Sequence, residues 1–267
     1  MLQQDARDFQ ILFLSLFLIL GIATRDWSAR PDLMLVTFVF CLATQWLGVC
    51  LCRSSASPWK WASLKSAAIT ALSLCLLLRA SHWSTMALAG FLAIASKFIF
   101  QIRNKHFFNP ANFGIISALI LTHDAWVSPA QWGEDLWYAL LFAGAGGLVL
   151  QQVGRWDTTV AFLGSYALLE ALRNIWLGWT WDVFLHRMTS GSLLLFALFM
   201  ITDPRSIPNA RISRLLWAFC IALLTFILRN YFFVSTAVFW ALFALAPLIV
   251  LLDLLWHAPR FSWEEKI

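Results

Sequence analysis

Apolar runs that approach the length of a membrane-spanning helix occupy almost the whole of this 267-residue chain. Such a helix needs about 20 consecutive, mostly apolar residues. Ten segments come near that length, at roughly 9–24, 33–52, 62–79, 84–101, 107–122, 135–151, 157–176, 183–202, 213–229 and 233–256. The sequence therefore predicts an all-α, polytopic transmembrane helical bundle of about ten spans, with residues 1–267 forming a single integral membrane domain.

Composition agrees with a chain that lies in a lipid bilayer. Its residues are 61% hydrophobic and 12% charged, whereas soluble domains are about 25% charged. The sixteen tryptophans suit the boundary between lipid and water, because Trp has an apolar body and one N–H donor. The net charge of +5 is expected to set membrane orientation and not to bind nucleic acid.

The distribution of basic residues predicts the orientation. With the amino terminus on the cytoplasmic side, thirteen of the nineteen Lys and Arg residues fall on inner segments and six on outer ones. This bias favours N and C termini that are both inside, and an even number of spans agrees with it. The loop at 122–135 has no Lys or Arg and is predicted to lie outside.

Two junctions between apolar segments concentrate proline and short polar side chains. One is KHFFNPANFG at 105–114, and the other is FMITDPRSIPNAR at 199–211. The pairs Asn109-Pro110 and Asp203-Pro204 suit the start of a helix, since Asn and Asp cap helices and proline fits the first helical position. A helix could equally end before Asn109 or Asp203, because proline disfavours helix for the residue before it.

The alternative interpretation is that these junctions line a polar cavity. Irregular backbone at membrane depth is tolerated only where protein or water covers it. Asn109 and Asn112 offer donors and acceptors that suit a flat heterocycle, and Asp203 would accept from hydroxyl or N–H groups. Lys97 lies near the end of a predicted span, where it marks a functional site or extends to the membrane surface. Several phenylalanines could stack on a ligand or simply pack, namely Phe107, Phe108, Phe113, Phe196 and Phe199.

The sequence offers no catalytic or metal-binding motif. It has no G-x-S-x-G, P-loop, H-E-x-x-H or C-x-x-C-H pattern, so we expect no catalytic side chains of those classes. Its cysteines have no spacing typical of metal ligands. Among acidic residues in the spans, Glu170 is placed to pair with Arg173 three residues later, and Asp253 lies four residues before His257. An ion path is the alternative role for these carboxylates.

Three blocks of sequence resemble one known family. FFNPANFG, HRMTSGSLLLFALFMITDPRSIP at 186–208 and LRNYFFVSTAVFWALFALAPLIVLLD at 228–253 are similar, in the same order, to the NqrB/RnfD family. Its members are membrane subunits of ion-pumping, flavin-dependent electron-transport complexes. The resemblance is clearest over 97–253, and it implies two five-helix halves like those of urea-channel-like folds, in a bacterial cytoplasmic (inner) membrane.

The resemblance also implies a cofactor. Family members hold a non-covalent, riboflavin-type flavin and an FMN esterified to a threonine, in a motif of Ser or Thr, Gly-Ala, then Ser or Thr. Here Gly144-Ala145 is followed by Gly146, so we expect no covalent FMN. A non-covalent flavin, riboflavin or FMN, is expected at the two junctions, with these residues as its candidate ligands: Lys97, Asn109, Pro110, Asn112, Thr202 and Asp203.

Three functions follow from the sequence. The first is a flavin-binding redox protein that takes part in transmembrane electron transport, with other membrane or redox subunits as partners. The second is a transporter or channel for a flavin, a small solute or an ion, on the same scaffold without redox chemistry. The third is a structural subunit that anchors partners.

Overall fold

The computed structural model describes residues 5–24, 30–51, 60–127 and 136–261. Within these ranges the chain forms twelve α-helices: α1 (Ala6–Thr24), α2 (Pro31–Leu51), α3 (Lys60–Leu77), α4 (Trp83–Ile99), α5 (Pro110–Leu121), α6 (Leu136–Val153), α7 (Trp156–Trp176), α8 (Trp181–Met188), α9 (Gly191–Leu195), α10 (Arg211–Asn230), α11 (Ala237–Leu245) and α12 (Leu248–Leu255). Both chain ends and part of the predicted outside loop, 128–135, lie outside the described residues.

Short strands and one π-helical turn interrupt the helices. The strands are β1 (Leu78–Ala80), β2 (Gln101–Ile102), β3 (Lys105–His106) and β4 (Ala125–Val127), and the π-helical turn is Phe196–Met200. The strands form two antiparallel pairs, β1 with β4 and β2 with β3. The predicted all-α fold class is thus correct. The strands are only two or three residues long and lie next to the ends of helices.

The chain divides into two compact units, Met1–Ser128 and Pro129–Ile267. In the first unit α4 packs against α2 and α5, and α3 packs against α1 and α2. Gly114 lets α5 approach α4 closely, because a Cβ there would lie 2.7 Å from the Ala89 carbonyl oxygen and 2.8 Å from Ala93 Cβ. Interhelical contact in membranes commonly uses small residues in this way.

In the second unit α7 packs against α10, and α10 packs against α11. Its core is aromatic. Phe162 lies 6.1 Å from Tyr166 with nearly parallel rings and makes an edge contact with Phe196, which also contacts Phe239. All four side chains are buried, so Phe196 is a packing residue within this core.

Three described helices, α1, α2 and α10, are long and apolar enough to cross a membrane. Two further pairs qualify if each bent pair is one span. Trp181–Met188 and Gly191–Met200 meet at 47°, and Ala237–Leu245 and Leu248–Leu255 meet at 49°. The shorter apolar helices include α4 and α5. The structure therefore supports an all-α membrane protein, while the number of ten spans and the placement of the termini stay predictions.

Candidate functional site

A tight hairpin connects α4 to the start of α5, within the first polar junction. Strands β2 and β3 pair Gln101 with His106, and Arg103 and Asn104 between them have φ angles of 51° and 62°. Two successive left-handed residues are typical of the two-residue turn that matches the twist of paired strands. The hairpin reverses the chain directly after α4, so that α5 can pack back against it.

The start of α5 confirms the helix-start interpretation of Asn109-Pro110. Asn109 is the N-cap and Pro110 the first helical residue. The Asn112 backbone N–H donates to Asn109 Oδ1 at 3.0 Å, which satisfies one of the N–H groups that a helix start leaves without an intrahelical partner. Asn109 is 7% exposed and Asn112 only 1%, so both amide groups are buried in the first unit.

Four phenylalanines form a cluster beside this helix start. Phe100 lies 5.4 Å from Phe108 and 5.3 Å from Phe113, measured between ring centroids. Phe107 lies 4.9 Å from Phe108. These rings contact one another as a packed aromatic cluster, which matches the packing alternative for Phe107, Phe108 and Phe113.

Lys97 points to neighbouring helices of the first unit. Its Nζ donates to Gln45 Oε1 of α2 at 3.2 Å and to Ser66 Oγ of α3 at 3.0 Å. Gln45 is buried and Lys97 is half-buried. The lysine thus cross-links α2, α3 and α4, and this contact accounts for its position better than extension to the membrane surface does.

The second junction, in the second unit, does not begin a helix. The helix-start interpretation of Asp203-Pro204 is wrong, because the π-helical turn ends at Met200 and α10 begins only at Arg211. The Asp203 carboxylate accepts from the Arg205 backbone N–H at 3.2 Å and from Ser206 Oγ at 2.9 Å. These local hydrogen bonds stabilise a turn, which competes with helix for an Asp side chain.

Thr202 is tied to the same π-helical turn. It is buried, and its Oγ1 donates to the Leu198 carbonyl at 2.9 Å. π-helical turns are rare and frequently occur at functional sites. The π-helical turn could not be predicted from the sequence, because the apolar residues of Phe196–Met200 would fit an ordinary α-helix equally well.

A buried ion pair joins Asp157 at the start of α7 to Arg214 of α10, and the sequence analysis did not predict this pairing. Arg214 Nη2 donates to Asp157 Oδ2 at 2.6 Å, and Arg214 Nη1 donates to the Asn209 carbonyl at 2.6 Å. Asp157 and Arg214 are each 5% exposed.

Two neighbouring residues are affected by this region. Burial is the larger cause, and the positive charge of Arg214 the second, that lowers the pKa of Arg155. Asp253 accepts from the Asn209 backbone N–H at 2.8 Å, a partner that its spacing from His257 did not indicate.

A second buried network lies at the other end of α7. Arg187 Nη1 donates to Glu170 Oε2 at 2.8 Å and to Asn230 Oδ1 at 2.7 Å. Asn230 Nδ2 donates to Glu170 Oε1 at 2.8 Å. The predicted pairing of Glu170 with Arg173 is therefore wrong. Arg173 instead lies over the ring of Trp179, with its Cζ 4.6 Å from the centroid.

The candidate ligands fall into two groups. Lys97, Asn109, Pro110 and Asn112 belong to the first unit, and the pair Thr202–Asp203 belongs to the second. Asn109, Pro110 and Asn112 lie at the start of α5 and Lys97 in the last turn of α4, whereas Thr202 and Asp203 follow the π-helical turn. Among the residues that the structure describes, no group of three or more His, Cys, Asp or Glu side chains is placed to hold a metal ion.

Comparison with known proteins supports the family resemblance. A model of the NQR2, RnfD, RnfE family matches residues 126–259. The RnfD subunit of the ion-translocating oxidoreductase complex of Stutzerimonas stutzeri is 32% identical over 114 residues, covering 43% of this chain and 32% of that protein. The protein of the same name from Vibrio vulnificus is 33% identical over 89 residues, covering 33% and 25% respectively. The matches thus cover about a third or less of the length of these relatives.

Proposed function

The chain belongs to the NQR2, RnfD, RnfE family, and on that premise we propose that it is a membrane component of an ion-translocating electron-transport complex and holds a non-covalent flavin. Its apolar helices make it an integral membrane protein. We place it in a bacterial cytoplasmic membrane with other redox or membrane subunits as partners. Support comes from its relatives, two of which are named as RnfD subunits of ion-translocating oxidoreductase complexes.

The observation that carries the flavin proposal is the buried pair of amides at the start of α5. Burying an amide costs free energy unless it is hydrogen-bonded, and these two asparagines, at 7% and 1% exposure, place two amides inside the first unit where the chain passes from α4 to α5. The bond from the Asn112 N–H to Asn109 Oδ1 holds the Asn109 amide in one orientation. A preorganised amide of this kind suits recognition of a ring that carries carbonyls and ring nitrogens.

The chemistry of the residues present fits a flavin. A bound flavin would supply reversible electron transfer, while the protein sets its position and electronic properties through hydrogen bonds. In the first unit, Asn109 and Asn112 would donate to ring carbonyls. The assignment of Thr202 and Asp203, which belong to the second unit, as further flavin ligands stays a prediction from the sequence. The absence of the covalent attachment motif leads us to propose that FMN is not esterified to this chain.

Flavin content of detergent-purified protein tests this function. We expect absorbance in the flavin bands and about one flavin released per chain on acid extraction. Replacing Asn112 with leucine should lower flavin content about tenfold, because an unpaired polar group on the ligand costs ~1–3 kcal/mol. Asn104→Gly is the matched control, since Asn104 is exposed in the hairpin turn. A colourless wild-type protein without extractable flavin would refute the proposal.

A transporter without redox chemistry is the second candidate, and the two bent helix pairs favour it. Discontinuous helices commonly flank the binding site of secondary transporters, and bends of 47° and 49° interrupt α8–α9 and α11–α12. Uptake of radiolabelled riboflavin or sodium into vesicles that contain only this protein separates the candidates. Uptake without bound flavin would favour transport, and tightly bound flavin without uptake would favour the redox role.

A further inference from the structure

The loop after α7 builds a cationic, aromatic surface that the electron-transport proposal does not use. Asn174 Nδ2 donates to the carbonyls of Trp179 at 3.1 Å and of Thr180 at 3.2 Å. The Trp179 N–H donates back to the Asn174 carbonyl at 3.0 Å. Gly178, with φ of 64°, provides the left-handed residue that closes this loop. The position of Trp179 is therefore fixed by the backbone around it.

Two guanidinium groups lie against Trp179. The Arg173 Cζ is 4.6 Å from the ring centroid, and the Arg187 Cζ is 5.6 Å away. Cation–π contacts at these distances are favourable, but they do not cancel positive charge. A third arginine joins them at the end of α10, where Arg229 Nη1 donates to Tyr166 Oη at 3.2 Å.

Among the described residues, Glu170 is the carboxylate that forms an ion pair with these arginines, through Arg187, while the exposed Asp182 of α8 hydrogen-bonds to Thr180. Both Glu170 oxygens are occupied, one by Arg187 and the other by Asn230. Arg173 Nη1 is buried and has no hydrogen-bond partner among the described residues. Arg173 and Arg229 form no ion pair among the described residues, so this surface keeps an excess of positive charge for which an oxyanion would be a counter-ion.

The surroundings of this surface are those of a lipid–water boundary. Helix α8 has no buried residue, and its Trp181 is 55% exposed. Trp176 is 88% exposed and Tyr231 70%. Exposed tryptophan and tyrosine are typical of the headgroup level of a membrane, and a short, exposed amphipathic helix beside them suits the same depth.

We propose that Arg173, Arg187 and Arg229 form a binding site for the phosphate headgroup of an anionic phospholipid. The phosphate oxygens would accept from Arg173 and Arg229, and the exposed aromatic side chains would contact the glycerol and upper acyl region. Arg187 positions the site, because it is held by Glu170 and Asn230. The site lies entirely within the second unit and is independent of the flavin ligands.

Thermal unfolding of the detergent-purified full chain with defined lipids tests this site. Phosphatidylglycerol should raise the Tm more than phosphatidylcholine with the same acyl chains, and it should be enriched in the lipid that copurifies. Arg173→Gln should weaken phosphatidylglycerol binding about fivefold, the equivalent of the ~1 kcal/mol that one basic residue contributes at an anionic membrane surface. Arg173→Lys should retain most of the binding, since it keeps the charge.

Arg205→Gln is the matched control, because Arg205 is an exposed arginine of the same unit at the Asp203 turn and should leave lipid binding unchanged. Equal stabilisation by the two lipids, or equal losses in Arg173→Gln and Arg173→Lys, would overturn the proposal. Stabilisation by inorganic phosphate as large as that by phosphatidylglycerol would also overturn it, in favour of a soluble anion. Flavin content should be the same in all these variants.

Discussion

Replacing Asp157 with asparagine should strongly destabilise the second unit. The Arg214 guanidinium makes three contacts of 2.6 to 3.3 Å with the Asp157 carboxylate, and both residues are 5% exposed. Removing one partner of a buried ion pair leaves the other charge without compensation, which costs about 3–5 kcal/mol. The neighbouring Arg211, 3.9 Å from Asp157 Oδ2, would lose its counter-ion as well.

The exposed pair of Arg30 and Asp32 provides the matched control. Its N–O distance is also 2.6 Å, but the two side chains are 52% and 59% exposed. Exposed pairs contribute little to stability, because water screens the two charges. Asp32→Asn should therefore change stability little, whereas Asp157→Asn should lower the Tm by roughly 6–20 °C if about 2–4 °C corresponds to each kcal/mol.

Circular dichroism of the detergent-purified variants on heating provides the measurement. The double variant Asp157→Leu with Arg214→Met should regain most of the lost stability, because replacing both partners of a buried pair by apolar residues is often close to neutral. Equal Tm values for Asp157→Asn and Asp32→Asn would refute the inference that burial makes the Asp157–Arg214 pair important.

Three further changes test other parts of the fold. Burial raises the pKa of Asp124, but hydrogen bonds from Thr85 and the His82 backbone lower it below its ordinary value. The stability that these hydrogen bonds give the folded protein is present above the ordinary Asp pKa of about 3.9 and is lost as pH falls through the lower pKa of the folded state. The Tm difference between wild type and Asp124→Asn should therefore shrink on acidification. Asn109→Ala should cost about 0.5–2 kcal/mol through loss of the α5 cap, measured by thermal unfolding with flavin content recorded alongside. Gly114→Ala should cost about 1–3 kcal/mol through overpacking, whereas Gly164→Ala, with nothing within 4 Å of the added Cβ, should be neutral or stabilising on denaturant unfolding.

Local sequence predicted the start of α5 because its determinants lie within four residues. Asn109 caps the helix, Pro110 occupies its first position, and neither depends on distant parts of the chain. The similar pair Asp203-Pro204 does not begin a helix, because Ser206 and the Arg205 backbone donate to the Asp203 carboxylate and stabilise a turn. A helix start and a turn both suit an Asn-Pro or Asp-Pro pair, and the residues that follow the proline decide which of the two forms.

The buried charge networks could not be predicted from spacing. Asp157 and Arg214 are 57 residues apart, and Glu170 and Asn230 are 60 apart. Helical spacing identifies only partners on the same helix, which is why it suggested Arg173 for Glu170. The lipid-facing surface of a membrane helix is as apolar as its packed surface, so the hydrophobic pattern gives little information about which helices meet.

The π-helical turn makes the second junction tolerant of a change in chain length. Its hydrogen bonds join residues i and i+5, one residue further apart than in an α-helix, so Phe196–Met200 accommodates one extra residue. Deleting a single residue there would allow a regular α-helix and leave Thr202 and Asp203 facing nearly the same way, whereas a deletion in an ordinary helical turn rotates the residues that follow by about 100°. Homologues that differ by one residue in this turn are therefore expected to keep the orientation of the Thr-Asp-Pro sequence.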